Sequence, residues 1–274
     1  MGVRSIRELR LLAFASAQES RSSFFAIFCD RLHNIASRRS IFYIDKTDLN
    51  RISMKTPFTI LLLVASMAEA GAQAGIESQF RMGRLKYGGG GDWYNDPSGE
   101  VNLLRFVQQN TNIDVDPRYE FVDLFGEKLF TYPLLFLTGH GNIVFSDFEA
   151  ERLRTYLMNG GFLYVDDDYG LDKSFRREMK RVFPDQQLAE LPFSHGLYNC
   201  HFSFPNGVPK THEHDGKPAQ GFGIFYKGRL VVYYTFESNP SDGWADREIH
   251  NDPEPVRQES LRFGTNIIVW ALTH

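Results

Sequence analysis

Strand-like and helix-like patterns of apolar residues alternate along the chain from about residue 80 onward. Residues 80–87 alternate apolar and polar positions as a half-buried strand does, and residues 119–124 are predicted as a second strand. Between them, residues 98–109 place Val101, Leu104 and Val107 at helical spacing. The order strand, helix, strand indicates the start of an α/β domain.

The clearest unit follows at residues 132–168. Residues 132–138 are a continuous apolar run typical of a buried strand, and Ser146 with Glu149 forms a capping box at the start of a helix. Gly160 and Gly161 are expected to end that helix, and residues 162–165 return as a strand. A strand, helix, strand crossover of this kind predicts parallel pairing.

The remaining pattern adds a helix at residues 173–182, a loop-rich stretch at 191–220 and a hairpin. Residues 221–226 and 229–237 are the two hairpin strands, with Lys227 and Gly228 at the turn, and Pro255 begins a last helix. We therefore predict an α/β fold with a mostly parallel central sheet and an added C-terminal hairpin.

The first 74 residues have a different character. Met54 and Lys55 open a short basic region, residues 58–67 are apolar, and residues 72–74 read AQA, which together predict a signal peptide over 54–74. An apolar run of about ten residues is too short for a membrane span, which needs about 20. We expect a mature domain at residues 75–274, without a transmembrane span, in the periplasm or secreted. Residues 1–53 are expected to be an over-extended start or leader, and an unusually long basic region before the signal is the alternative.

Charge and cysteine content limit the partners and the chemistry. The formal net charge is −4, and the acidic excess lies after residue 74, which argues against nucleic acid as a partner. Cys29 precedes the predicted signal, so Cys200 alone remains and no disulfide forms within the mature part.

Several motifs carry a resemblance to a known family. They are YGGGGDWY at residues 87–94, GHG at 139–141, GFLYVDD at 161–167, LP at 191–192 with His195, HEHDG at 212–216 and GW at 243–244. With them the chain resembles the domain of unknown function 4159 family over residues 79–273. It is more distantly similar to trehalose-utilisation-type proteins and to the class I glutamine-amidotransferase-like fold.

The distant resemblance implies a flavodoxin-like three-layer sandwich without glutaminase activity. Those amidotransferases carry a nucleophilic cysteine at the turn where this chain has Asp166, Asp167 and Asp168. Cys200 has no nucleophile-elbow pattern around it. The resemblance therefore assigns no catalytic residue.

Ligands of open α/β sheets bind outside the carboxyl ends of the strands, where polar residues of this chain are concentrated. The four glycines at 88–91 lack the lysine of a phosphate-binding loop and are expected to position residues 92–94. A long loop at 238–253, with Asp246 and His250 in its polar group, is either a binding loop or a surface loop held by Trp244. The predicted ligand-binding residues are Asp92, Trp93, Tyr94, His140, Asp168, Glu237, Asp242 and Trp244.

Two clusters suggest chemistry, and each has a simpler alternative. Asp166 and Asp167 are candidate catalytic carboxylates, or else they cap backbone amides at a strand end. His195, His212 and His214 are candidate ligands of a divalent metal such as zinc, with residues 212 and 214 facing one side if they lie in a strand. Loop hydrogen bonds are the alternative role for these histidines.

Two classes of function remain open, and the sequence does not decide whether the protein is an enzyme. The favoured class is an envelope module that binds a small molecule, glycan or envelope protein. The alternative is a metal-assisted periplasmic hydrolase acting on a glycan or ester, with Asp166 or Asp167 as base. No cofactor other than the divalent metal is indicated.

Overall fold

A computed structural model describes residues 79–274 of the chain. The predictions for residues 1–53 and for the signal peptide at 54–74 lie outside the described residues, and the boundary at residue 75 stays a prediction. Within residues 79–274, no helix has the length and apolar character needed to cross a membrane.

The described residues form one seven-stranded sheet with helices between most of its strands. The strands are β1 (Met82–Leu85), β2 (Phe121–Val122), β3 (Leu134–Leu137), β4 (Phe162–Asp166), β5 (Ala189–Glu190), β6 (Gln220–Tyr226) and β7 (Arg229–Phe236). The helices are α1 (Gly99–Asn110), α2 (Asp147–Met158), α3 (Asp172–Val182), α4 (Arg247–His250) and α5 (Glu254–Thr273). Three short 3₁₀ helices span Glu127–Thr131, Gly196–Asn199 and Asp242–Trp244.

The strand order is β2-β1-β3-β4-β7-β6-β5. Five neighbouring strands, from β2 to β7, are parallel, whereas β6 and β5 add antiparallel pairs at one edge. The predicted α/β class, mostly parallel sheet and β6–β7 hairpin are thus confirmed. Lys227 and Gly228 both take positive φ angles at the hairpin turn, 51° and 81°.

Helices cover both faces of the sheet, because alternate residues of each strand point to opposite sides. In β3, Leu134 and Phe136 pack in the core that includes α1 and α5, whereas Leu135 and Leu137 pack in the core that includes α2 and α3. This alternation explains why the strand is apolar throughout.

Local signals place the helix ends as predicted from the sequence. In the capping box, the Glu149 amide donates to Ser146 Oγ at 3.2 Å and the Ser146 amide donates to the Glu149 carboxylate at 2.7 Å. Gly160 follows α2 with φ of 108°, a conformation that glycine adopts readily. The short strand β5 and the short helix α4 were not predicted, because each is too short to display a period.

Candidate functional site

The loops after β3, β4 and β7 and the loop before β6 meet at the carboxyl edge of the sheet. They enclose an open cavity of about 540 Å³, which we call the carboxyl-edge cleft. Its lining residues are His140, Asp168, Thr211, His212, Glu213, His214, Asn239, Asp242 and His250. The sheet therefore brings together polar residues that are up to 110 positions apart in the sequence.

His140 lies in the loop after β3 and contacts carboxylates in the loops after β1 and β4. Its Nδ1 atom lies 3.0 Å from an Asp92 carboxylate oxygen and 3.2 Å from Asp168 Oδ2. The His140 backbone amide also donates to Asp92 Oδ1. Gly139 allows this close approach, because a Cβ atom there would lie 2.8 Å from Asp92 Oδ1 and the backbone φ is 129°. The imidazole of His140 is 54% exposed, so a ligand can reach it.

Asp168 is one of two buried carboxyl groups that line the cleft, and Asp242 is the other. Asn239 Nδ2 donates to Asp168 Oδ1 at 2.7 Å, and Asn95 donates to the other carboxyl oxygen. Burial, together with the negative charges of Asp242 and Asp166, raises the pKa of Asp168 to about 8. A carboxyl group with this pKa holds a proton at neutral pH much more often than an exposed one.

A second polar group is built around Asp242. Asp242 Oδ2 lies 2.6 Å from His212 Nδ1 and 4.0 Å from His250 Nδ1. Burial alone would raise the pKa of Asp242, but hydrogen bonds from His212 and Asn239 and the charge of His250 hold it below its usual value. Hydrogen bonds to Asp242 and Asp252 raise the pKa of His212 to about 9.

A buried ion pair supports the loop that carries Asp92. Arg84 Nε and Nη2 donate to the Glu100 carboxylate at 2.5 and 2.7 Å, and both side chains are 1% exposed. Arg84 Nη1 donates to the carbonyl oxygens of Trp93 and Asn95, each at 2.9 Å. The pair thus fixes the backbone that follows the glycine run.

The two candidate catalytic carboxylates have structural contacts and do not line the carboxyl-edge cleft. Asp166 is fully buried, accepts hydrogen bonds from Thr235 Oγ1 at 2.5 Å and from the Ser241 amide at 2.7 Å, and burial raises its pKa to about 7. Asp167 accepts from the Leu171 amide at 2.8 Å, and burial raises its pKa. The simpler role predicted for this turn, the capping of backbone amides, matches these contacts. The carboxyl groups that line the cleft are instead those of Asp168, Glu213 and Asp242, and a catalytic role for Asp166 or Asp167 stays a prediction.

The structure brings together only two of the three candidate metal-binding histidines. His212 and His214 line the carboxyl-edge cleft, although residues 211–214 are a loop and not the strand that would align them. His195 instead accepts a hydrogen bond from the Leu197 amide at 3.3 Å, and its ring lies 4.8 Å from that of Trp270. It therefore belongs to a different part of the molecule.

The other predicted binding residues divide between core and surface. Trp244 is 1% exposed, and its indole NH donates to the Ser260 carbonyl at 2.9 Å, so it holds its loop in place from inside the core. Glu237 is 1% exposed and accepts from the Asp215 amide at 3.0 Å beside a neighbouring cavity. Trp93 and Tyr94 pack edge to face, with ring centroids 5.5 Å apart and Tyr94 61% exposed.

The sequence analysis did not predict four residues that form hydrogen bonds with side chains of the site: Asn95, Asp96, Asn239 and Asp252. Asn239 and Glu237 take positive φ angles of 50° and 57°, which are uncommon for residues other than glycine. Such backbone strain concentrates at functional sites. For Asn239 and Asp252 the sequence signal was the unusual length of the loop at 238–253, whereas Asn95 and Asp96 lie outside that loop.

Fold and site together define an α/β protein with a carboxylate- and histidine-rich cleft at the carboxyl edge of a mostly parallel sheet. The chain belongs to the family described as Domain of unknown function (DUF4159), whose model matches residues 81–272. This confirms the resemblance seen in the sequence motifs, and the match includes every residue of the cleft. No curated protein matches the chain.

Proposed function

We propose that the protein is an exported ligand-binding module of the cell envelope, and that its carboxyl-edge cleft binds a small hydroxyl-rich ligand of the glycan type. The observation that carries this proposal is the convergence of the loops after β3, β4 and β7 and of the loop before β6 on one open, polar cavity, with Asp92 of the loop after β1 in contact with His140. Ligands of open α/β sheets bind at this edge.

The chemistry of the cleft suits hydroxyl groups. Asp92 and His140 offer accessible hydrogen-bonding atoms, and Asp168 offers a carboxyl group at the base of the same cluster. An exposed aromatic ring packs well against the apolar face of a sugar, and Tyr94, which is 61% exposed, lies two positions after Asp92, with the partly buried Trp93 between them. This combination supports a glycan-type ligand over an apolar one.

As the finer architecture, we propose a flavodoxin-like, glutamine-amidotransferase-like domain without glutaminase activity. The order β2-β1-β3-β4-β7 of the parallel strands supports the first part, since flavodoxin-like sheets have the order 2-1-3-4-5. Burial raises the pKa of Cys200 to about 11, which disfavours the thiolate that a glutaminase would need. The predicted signal at residues 54–74 supports export, and periplasmic fractionation of bacteria that express the full chain tests it.

Calorimetric titration with a panel of monosaccharides and disaccharides tests the binding function. We expect at least one saccharide to bind, and we expect Asp168→Asn or His140→Ala to weaken that binding by about tenfold or more, the effect of losing about 1.4 kcal/mol of interaction. Asp185→Asn and His201→Ala, at exposed positions outside the cleft, are the matched controls. Absence of binding, or equal binding by all variants, would refute the proposal.

A hydrolase is the second candidate, and the position of His140 between Asp92 and Asp168 favours it. A carboxylate that holds one imidazole nitrogen orients the other nitrogen as a general base. Turnover of chromogenic esters and glycosides, with a loss of about 100-fold or more in kcat for His140→Ala, would support this function. Saccharide binding without turnover would leave the binding module as the function.

A further inference from the structure

Two imidazoles of the carboxyl-edge cleft face one carboxylate oxygen with the same ring nitrogen. His212 Nδ1 lies 2.6 Å and His250 Nδ1 lies 4.0 Å from Asp242 Oδ2. One possible ligand atom from each of these three residues lies within 4.8 Å of the other two. Zinc–ligand bonds to nitrogen and oxygen are about 2.0 to 2.2 Å long, so small side-chain shifts would let one ion bind all three atoms.

The opposite nitrogen of each imidazole is held by a carboxylate. His212 Nε2 lies 2.9 Å from Asp252 Oδ1, and His250 Nε2 lies 3.0 Å from Asp96 Oδ2. Hydrogen bonds of this kind hold a proton on Nε2, so each ring would bind a metal ion through Nδ1, and at His212 the ion would displace the proton that Nδ1 donates to Asp242. Metal-binding histidines almost always have such an outer hydrogen-bond partner, which orients the ring and raises its basicity.

A buried acceptor beside the cluster gives an independent indication of a cation. Asn239 is 2% exposed and lines the cleft, and its Nδ2 donates to Asp242 Oδ2 at 3.1 Å. Its side-chain oxygen Oδ1 has no hydrogen-bond partner among the described residues. An unpaired buried acceptor is costly, and a nearby cation or its bound water would satisfy it.

We propose that His212, Asp242 and His250 form a binding site for a divalent transition metal ion of the zinc class. Two imidazole nitrogens and one carboxylate oxygen are donors that zinc, iron, cobalt and manganese accept. Three protein ligands leave a coordination position for water or substrate, and the cleft provides access to it. The site shares only His212 with the metal ligands predicted from the sequence, which were His195, His212 and His214. It goes beyond the proposed function, because saccharide binding by Asp168 and His140 does not require it.

Metal titration of the purified protein, expressed as the full chain and stripped with a chelator, tests the site without reference to any organic ligand. We expect one zinc ion per chain, measured by calorimetry and elemental analysis, and a rise in Tm on zinc addition. His250→Ala should abolish stoichiometric binding. Asp96→Asn removes only the outer partner of His250 and should weaken affinity about 10- to 100-fold.

The control separates this site from the sequence prediction. His195→Asn removes a histidine outside the cleft and should leave zinc affinity unchanged. Zinc-free folded wild-type protein, or equal loss of zinc in His195→Asn and His250→Ala, would overturn the proposal. If His250→Ala does not fold, the Co²⁺ spectrum of the wild-type protein decides. Nitrogen and oxygen ligands give weak visible bands and support the site, whereas an intense thiolate band would assign the metal to a cysteine and overturn the proposal.

Discussion

The histidines of the carboxyl-edge cleft and His195 lie toward opposite ends of the sheet. His195 packs with Phe225 and Trp270, and Phe225 pairs with Leu230 near the start of β7. We call these three residues the amino-edge aromatic cluster. In it, burial and the charge of His274 lower the pKa of His195, whereas in the cleft two carboxylates raise the pKa of His212. The same residue type therefore has opposite electrostatic properties in the two regions.

The difference teaches that neighbours, and not proximity in sequence, define what these histidines do. The amino-edge aromatic cluster combines a helix cap with ring packing, and both contribute to folding. The cleft instead contains buried carboxyl groups and the left-handed backbone of Asn239, all of which cost stability. Stability given up at one place and retained elsewhere is typical of a binding or catalytic site.

The largest expected effect comes from removing the support beneath the cleft. Glu100→Ala leaves the guanidinium of Arg84 buried without its carboxylate partner. We expect the free energy of unfolding to fall by about 3 to 5 kcal/mol, the usual result of breaking a buried ion pair. Urea unfolding followed by circular dichroism measures it.

Arg118→Ala is the matched control for that substitution. It breaks an ion pair with Asp116 in which the Arg118 side chain is 64% exposed, and we expect no measurable change in stability. An equally small effect of Glu100→Ala would mean that the cleft does not depend on this buried pair.

Much of the fold could be predicted because its signals are local. The capping box at Ser146, the glycines after α2 and the apolar run of β3 depend on residues close in sequence, and the structure has each of them. The two-residue strand β5 carries no such signal, because pairing with β6 alone defines it.

The candidate site could be predicted only in part, because its geometry depends on long-range contacts. The strand ends placed Asp168 and His140 at one edge of the sheet, where both line the cleft, and their part in binding stays a prediction. The pairing of His212 with His250 depends on how the loop at 238–253 folds back, which no local pattern specifies. His195 was grouped with His212 for its position in the sequence, but the turn at Pro192 and the 3₁₀ helix Gly196–Asn199 direct it to Trp270.

The second prediction tests whether the cleft costs stability. Burial raises the pKa of Asp168 to about 8, so the folded protein holds this proton more tightly than the unfolded chain does. The contribution of this bound proton to the free energy of unfolding is fully present below about pH 4 and is lost as the pH rises through about 8. Asp168→Asn should therefore flatten the decline in unfolding free energy between pH 5 and pH 8, by at least about 1 kcal/mol.

Urea titrations of both proteins at several pH values measure this decline, with Asp185→Asn as the control at an exposed carboxylate. Parallel pH profiles for wild type and Asp168→Asn would contradict the prediction. That result would mean that Asp168 is ionised in the folded protein at neutral pH and that the cleft binds cations or donors more strongly than we propose.

The smallest expected effect is at His195, at the other end of the sheet. There the free energy of unfolding falls as the pH decreases, the opposite of the trend expected from Asp168. Burial, and then His274, lower the pKa of His195, so the folded state resists protonation. This contribution is present above the unfolded pKa of about 6.5 and is lost as the pH falls below it. His195→Asn keeps an acceptor for the Leu197 amide, because asparagine is a good helix cap, but removes the titrating ring.

We therefore expect His195→Asn to decrease the acid-side loss of stability between pH 7 and pH 5. The change should be below about 0.5 kcal/mol, because the ring is partly exposed and solvent screens its charge. Thermal unfolding at closely spaced pH values can resolve it. A steeper acid-side loss in the variant would show that His195 is stabilised by protonation, as His212 is, and the contrast between the two regions would then fail. A flatter profile would confirm that the folded protein resists protonation of this histidine.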